Sequence, residues 1–263
     1  MTCPARKLTG LTLNLGEVIL LVGTRLSLKV RNQHGPDCAG ETWEQHEVYE
    51  AMQTTKATLS EQPELNEIPA ILKVKTQLVP WSNKPDSCLC SEEIWNEIRN
   101  LEAAEKCEST PKLLNYHIKR QGDGDILPGG YIAYIVMNKV TGENLERYRR
   151  MEKKEQHQVQ IAFLDALWDF RACHLRHGDP RLENVIWDPD LQKCYIVDLE
   201  DVEHDSTRKP EDICLDPWEH LGYWGLIGND QVRDPELFYS KDAMIQSYQE
   251  QLEHSAGESK EHK

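Results

Sequence analysis

Two short runs of alternating apolar and polar residues, 17–22 and 25–30, predict a pair of strands with Gly23-Thr24 as the turn between them. A polar, Glu-rich stretch follows over 31–67. Its Trp43, His46, Val48, Tyr49 and Met52 predict a helix packed by one face, inserted between strands. Alternation returns at 68–79, where Leu72 and Val74 interleave with Lys73 and Lys75 until Pro80 and Pro85 end the strand. The spacing of Ile94, Trp95, Ile98 and Leu101 predicts a helix over 91–106, with Ser91 as its N-cap and Glu92 and Glu93 suited to the first turn.

Further strands are expected at 112–118 and 131–138, on either side of a Gly/Asp-rich loop over 122–130. A core helix over 156–175 carries Ile161, Leu164, Trp168 and Leu175 on one stripe and delivers the chain to His177. Segments 184–187 and 194–199 flank Asp188-Pro189-Asp190, a turn signal, and read as a β-hairpin. Residues 254–263 are expected to be a polar, frayed tail.

Composition narrows the field of partners. Against 30 basic residues the chain carries 45 acidic ones, a net charge of −15, which opposes binding to nucleic-acid backbones and to anionic membranes. A nucleotide would therefore need a local positive site. The longest N-terminal apolar run, Val18-Ile19-Leu20-Leu21-Val22, is far short of the roughly 18–20 residues that span a bilayer. Glu17 beside it disfavours a signal peptide, and a cytoplasmic location is expected. None of the eight cysteines forms a CxxC pair, Cys88 and Cys90 being the only close ones, so reduced thiols are expected. His174, His204 and His220 have no spacing that argues for a metal.

The chemistry concentrates in the run His177-Gly178-Asp179-Pro180-Arg181-Leu182-Glu183-Asn184 and in Asp198 at the end of the return strand. Phosphoryl transfer asks mainly for a carboxylate near the attacking hydroxyl, oxygen ligands for Mg²⁺ and cations on the nucleotide phosphates. Asp179, in a loop after a helix, can accept a hydroxyl proton. Asn184 offers an amide oxygen and Asp198 a carboxylate, the hard donors that Mg²⁺ prefers.

This ordered set resembles the protein-kinase-like superfamily, whose catalytic loop reads HxDxxxxN and whose later metal-binding Asp follows a strand. The resemblance covers roughly 68–201. It implies Asp179 as catalytic base, Asn184 and Asp198 as metal ligands, His177 as the histidine bracing the loop, and Arg181 as a contact for the transferred phosphate. Ala70-Ile71-Leu72-Lys73 is similar to the VAIK strand, with Lys73 on the phosphates of ATP and Glu97 as its ion-pair partner. Ile135-Val136-Met137-Asn138 falls where the adenine-holding hinge would lie, which puts Met137 in the cofactor site. Lys75 shares a strand face with Lys73 and is the alternative lysine; Lys29 with Glu47 is a rarer one.

Gly178 and Glu200 shift the resemblance towards the aminoglycoside phosphotransferase and choline kinase branch. The wording HGDPRLEN with KCYIVDLED is most similar to uncharacterised fungal kinase-like proteins. The pattern departs from ordinary protein kinases in three ways: no GxGxxG loop precedes Lys73, Leu199-Glu200-Asp201 stands where FG would follow Asp198, and no APE appears. The implied fold is α+β with two lobes, a small antiparallel-sheet lobe over 1–138 and a mainly helical lobe over 139–253. The implied function is transfer of the γ-phosphoryl group of ATP, with Mg²⁺, to the hydroxyl of a small molecule. An atypical serine/threonine protein kinase and a pseudokinase scaffold are the alternatives. The acceptor pocket is expected within 206–250, including Trp218, His220, Tyr223 and Trp224.

Overall fold

The computed structural model describes residues 8–16, 18–55, 67–87, 89–205, 212–228 and 234–261. The chain divides into two compact units: Met1–Glu102 with Lys112–Lys139, and Ala103–Pro111 with Val140–Lys263.

The first unit holds six strands: β1 (Thr12–Leu15), β2 (Val18–His34), β3 (Glu41–Thr55), β4 (Glu67–Gln77), β5 (Leu113–Arg120) and β6 (Tyr131–Asn138). They form one sheet in the order β1-β2-β3-β4-β6-β5, with every pairing antiparallel. Its edges draw together, Asn115 Nδ2 of β5 donating to the Leu15 carbonyl of β1 at 3.4 Å, so the sheet curls into a nearly closed barrel. Period-two alternation turns Leu20, Val22, Tyr49, Ala51, Leu72, Val74, Ile132, Tyr134 and Val136 into one shared core. On the outward face of β4 lies α1 (Glu92–Ala103), which buries Ile94, Ile98 and Leu101.

Two expectations for this unit are corrected. The strands at 17–22 and 25–30 are one continuous β2, because Gly23-Thr24 forms a bulge and not a turn. The register to β3 shifts between Val22 and Arg25 and again between Arg25 and Ser27. Gly23 suits that place because a Cβ there would lie 3.1 Å from the Glu50 carbonyl oxygen. Glu17 lies outside the described residues.

The second correction concerns the helical insertion over 31–67. Its residues 41–55 form β3, and 56–66 lie outside the described residues. The polar residues that suggested a solvated helix face are buried on both sides of this strand. Gln45, Glu47 and Gln53 sit on the inward face with Tyr49, and Glu44 and His46 on the outward one. Burial is tolerated because each charge finds a partner. His46 Nε2 is 2.8 Å from Glu44 Oε2, and the Tyr131 hydroxyl donates to Glu44 Oε1. Burial alone would raise the Glu44 carboxyl, but hydrogen bonds from His46 and Tyr131 outweigh it and hold the group below its usual range.

The second unit is built on α2 (Lys153–Ala172), whose buried side centres on Val159, Phe163, Leu167 and Phe170. Around it lie β7 (Glu143–Asn144), β8 (Leu175–His177), β9 (Val185–Asp188), β10 (Lys193–Ile196), β11 (Val202–His204), α3 (Pro217–Tyr223) and α4 (Lys241–Glu261). The strands make a β10-β9-β7 sheet and a β11-β8 pair. The hairpin expected around Asp188-Pro189-Asp190 is β9-β10, whereas the polar tail expected from 254 is helical through Glu261.

The expected two-lobe kinase-like fold is therefore overturned. Among the described residues strands outweigh helices, the first sheet is large and nearly closed, and the second unit interleaves its helices with two further sheets. The long β2-β3 hairpin, hidden by its buried polar residues, accounts for most of the difference. No helix among the described residues is long and apolar enough to cross a membrane.

Neighbouring leucines test the inward and outward faces of the barrel. Leu20 is fully buried and Leu21 is 51% exposed. Leu20→Ala is expected to cost about 2–5 kcal/mol in urea unfolding, and Leu21→Ala within about 0.5 kcal/mol. Equal losses would contradict the assigned faces.

Candidate functional site

The residues singled out by the sequence fall into two clusters, one in each unit. In the first, β4 presents Lys73 and Lys75 on one face, and both meet Glu97 from α1. Lys73 Nζ donates to Glu97 Oε1, and Lys75 Nζ lies 3.0 Å from Glu97 Oε2. The two lysines are not equivalent. The Lys73 side chain keeps 13% of its surface exposed and that of Lys75 only 2%, so Lys73 is the cation that can reach a ligand while Lys75 braces Glu97 from inside. Met137 on β6 is paired with Ile71 and shares the face that carries Lys73, which is itself opposite Ile135. The rarer pairing of Lys29 with Glu47 is not formed. Glu47 turns into the barrel, where it accepts from Arg25 at 3.1 Å, Gln45 at 2.9 Å and Tyr49 at 2.8 Å.

Two of the glycines before Lys73, Gly35 and Gly40, serve the β2-β3 connection. Gly35 N donates to Gly40 O at 2.8 Å across the β2-β3 connection. Gly40 has φ +88°, and a Cβ on Gly35 would meet the Trp81 ring at 2.9 Å.

In the second unit, two connections run side by side: one from β8 to β9, containing Asp179 to Asn184, and one from β10 to β11, containing Asp198 to Asp201. Backbone and side-chain bonds stitch them together. Gly178 N donates to Asp201 O at 2.7 Å and Val197 N to Asn184 O at 2.9 Å. His177, buried beneath, joins both: its Nδ1 accepts from Asp179 N at 3.1 Å, and its Nε2 lies 3.1 Å from Val197 O. Those two bonds make Nε2 the protonated nitrogen. Burial pushes the imidazole below its usual pKa, while the Val197 bond and the charges of Asp198, Asp179 and Asp201 oppose the shift. The charges of all three carboxylates thus act on one neutral ring.

Asn184, also buried, donates from Nδ2 to the Asp179 carbonyl at 2.9 Å. That bond fixes the amide and turns its Oδ1 into an acceptor of defined direction. Asp198 takes a left-handed backbone, φ +63°, an unusual setting that Asp tolerates better than most residues. The carboxylate of Asp179, half exposed, is paired with Arg181 Nη2 at 2.6 Å. Arg181 Nε is buried without a hydrogen-bond partner. Among the described residues no group of three His, Cys, Asp or Glu side chains forms a metal site. An amide oxygen and one carboxylate still suit a Mg²⁺ that takes its other ligands from phosphates and water.

Asp201, an exposed residue that the sequence did not single out, anchors Gly178 through its carbonyl, and a Cβ on Gly178 would lie 2.6–2.7 Å from its carboxylate oxygens. The glycine between His177 and Asp179 was the available signal. Asp216 was also missed, although Asp-Pro is a readable helix start. It caps α3, Oδ1 accepting from Trp218 N at 2.9 Å and Glu219 N at 3.3 Å, and Oδ2 from Glu236 N at 3.2 Å. Of the residues expected to line an acceptor pocket, His220, Tyr223 and Trp224 face a cavity of about 360 Å³ that also touches His177. Trp218 instead packs on Tyr248, ring centroids 4.9 Å apart.

Two stability predictions follow from these charges. Glu97→Ala leaves two lysines facing each other, one of them buried, and is expected to cost about 3–5 kcal/mol in denaturant unfolding. Adding Lys75→Met should recover part of the loss; no recovery would argue against a shared ion pair. His220 is pushed down to about 4 by burial and by Arg171. Since the unfolded imidazole titrates near 6.5, the folded state loses stability as pH falls from about 6.5 towards 4, by on the order of 3 kcal/mol. His220→Gln should flatten the unfolding free energy over that window, and an unchanged pH slope would refute it.

No protein-family model matches the chain, and no curated protein does.

Proposed function

We propose that the chain is an ATP-dependent phosphotransferase that moves the γ-phosphoryl group to a hydroxyl, with a small molecule as acceptor. The observation that carries this reading is the pair of stitched connections in the second unit. His177 fixes the Asp179 backbone N–H and Asn184 fixes its carbonyl, so the Asp179 carboxylate is the part of the residue left to solvent. Such positioning is most of what phosphoryl transfer requires of a protein.

In the proposed reaction the acceptor oxygen attacks the γ-phosphorus, the bond from that phosphorus to the bridging β,γ-oxygen breaks, and ADP leaves. Asp179 takes the hydroxyl proton. Arg181 starts on Asp179 and holds a buried Nε without a partner, a donor suited to an oxygen of the transferring group. Mg²⁺, when bound through Asn184 Oδ1 and Asp198, would neutralise phosphate charge.

A pseudokinase scaffold is the second reading, favoured by the Arg181–Asp179 pair, which occupies the carboxylate that would act as base. Calorimetric titration with Mg-ATP separates the two, since a scaffold would show no heat at millimolar nucleotide.

Incubating the protein with ATP, Mg²⁺ and a metabolite extract should produce a species heavier by one phosphate. Asp179→Ala is expected to lower its formation by about 10²–10⁴-fold while leaving nucleotide affinity nearly unchanged. Undiminished transfer by that variant would sink the assignment.

A further inference from the structure

We propose that the mouth of the barrel in the first unit is a binding site for a compact uncharged amphiphile, a small molecule with an apolar body and an amide or hydroxyl edge. A cavity of about 570 Å³ opens there, and barrel mouths of that size are a common setting for such ligands. Its apolar wall comes from Val74 on β4, Ile132 and Tyr134 on β6, Ile126 in the β5-β6 connection, and Leu8. Val74, Ile132 and Tyr134 belong to the barrel core, so the cavity is continuous with the inward face of the sheet.

The other wall carries polar groups that a barrel core does not need. Gln45, Glu47 and Thr76 line the cavity, and they are only 5%, 3% and 7% exposed. Gln45 and Thr76 are direct cross-strand partners of β3 and β4, and alternation places Thr76 on the same side of β4 as the core residues Leu72 and Val74. Gln45 Nε2 donates to Glu47 Oε2 at 2.9 Å, while the Tyr49 hydroxyl of the core holds Oε1, so these side chains are turned into the barrel. The Gln45 carboxamide oxygen and the Thr76 hydroxyl make no hydrogen bond among the described residues. Glu47 Oε2, with its one donor, can accept another. Buried polar groups call for partners, and a ligand edge bearing N–H or O–H donors would satisfy all three residues together.

The surrounding charges select a neutral guest. Arg25 Nη1 pairs with Glu47 Oε1 at 3.1 Å and Lys119 Nζ stands 5.6 Å from the Tyr134 ring centroid, so a cationic ligand would meet two cations. An anion would have to be buried beside Glu47 and near Asp125, whose Oδ2 accepts from Gly122 N at 2.9 Å. An uncharged edge meets neither cost. The cavity lies wholly within the first unit, and the site stands whether or not Asp179 transfers phosphate.

The test uses the full chain and hexanamide, whose roughly eight non-hydrogen atoms support binding in the millimolar range. Titration followed by NMR is expected to show saturable shifts of the Gln45 side-chain amide and of the Ile126 and Ile132 methyl groups. Thr76→Val and Gln45→Leu should each weaken binding by about three- to ten-fold. Because the Thr76 hydroxyl bonds to nothing within the barrel, Thr76→Val should also leave the urea unfolding midpoint unchanged or raised. Hexanoate and hexylamine keep the chain and change only the head, and each should bind at least about ten-fold more weakly than the amide. Shifts that never saturate would mean a cavity that holds water only and would overturn the proposal. So would a charged compound that binds as tightly as hexanamide, or a Thr76→Val chain that is less stable yet binds as the parent does. The first two results need no variant and therefore stand even where a substitution misfolds.

Discussion

One carboxylate shared by two ammonium groups holds the first unit to its geometry. Glu97 has no solvent of its own, and neither does Lys75; each is tolerable inside only because the other is there. The constraint spreads outward. Because the carboxylate comes from α1 and both lysines from β4, the helix cannot slide or turn over the sheet without breaking an ion pair whose desolvation has already been incurred. The neighbouring set of Glu44, His46 and Tyr131 extends the same polar layer along the sheet. The barrel thus has a largely apolar inside, in which Glu47 is held by Arg25, Gln45 and Tyr49, and, on one outer face, a buried layer of matched charge. That second layer fixes a unique helix position, which apolar packing alone would leave less defined.

The second unit solves a different problem with similar economy. Its two connections carry carboxylates at 179, 198 and 201, which repel one another. They are kept near one place by a buried neutral ring and by backbone bonds between the loops. Keeping His177 neutral matters here, since Nδ1 must accept from Asp179 N. Protonation would turn that acceptor into a donor and break the bond.

Legibility in the sequence followed how strongly local chemistry determined local structure. Strand β6 was read with its full limits, because Tyr131 to Met137 are apolar and buried on both faces. Helix α1 and the β9-β10 hairpin were likewise close, the first marked by its apolar spacing and the second by its turn residues; Ser91 stands before α1, but its buried hydroxyl has no hydrogen-bond partner and does not cap it. The β2-β3 hairpin was not. Glu44, Gln45, His46 and Glu47 look solvated in the sequence and are buried in the fold by partners up to 87 residues away, as Tyr131 is from Glu44. No local pattern can announce such partners. At the candidate site the reverse held: the spacing of His177, Asp179 and Asn184 in one short loop let the sequence bring them together. Asp201 escaped notice because its part is played by a carbonyl, which every residue possesses.

The left-handed backbone at Asp198 limits what can be learned by altering it. A residue with φ +63° pays a steric penalty unless its side chain is absent or, as with Asp and Asn, well suited to that region. Alanine at this position would remove a charge and strain a turn together, so its effects would confound two causes. Asparagine keeps the shape and an oxygen of similar reach while removing the charge. The torsion angle of one residue therefore decides which substitution can speak about electrostatics, and which would report only on folding.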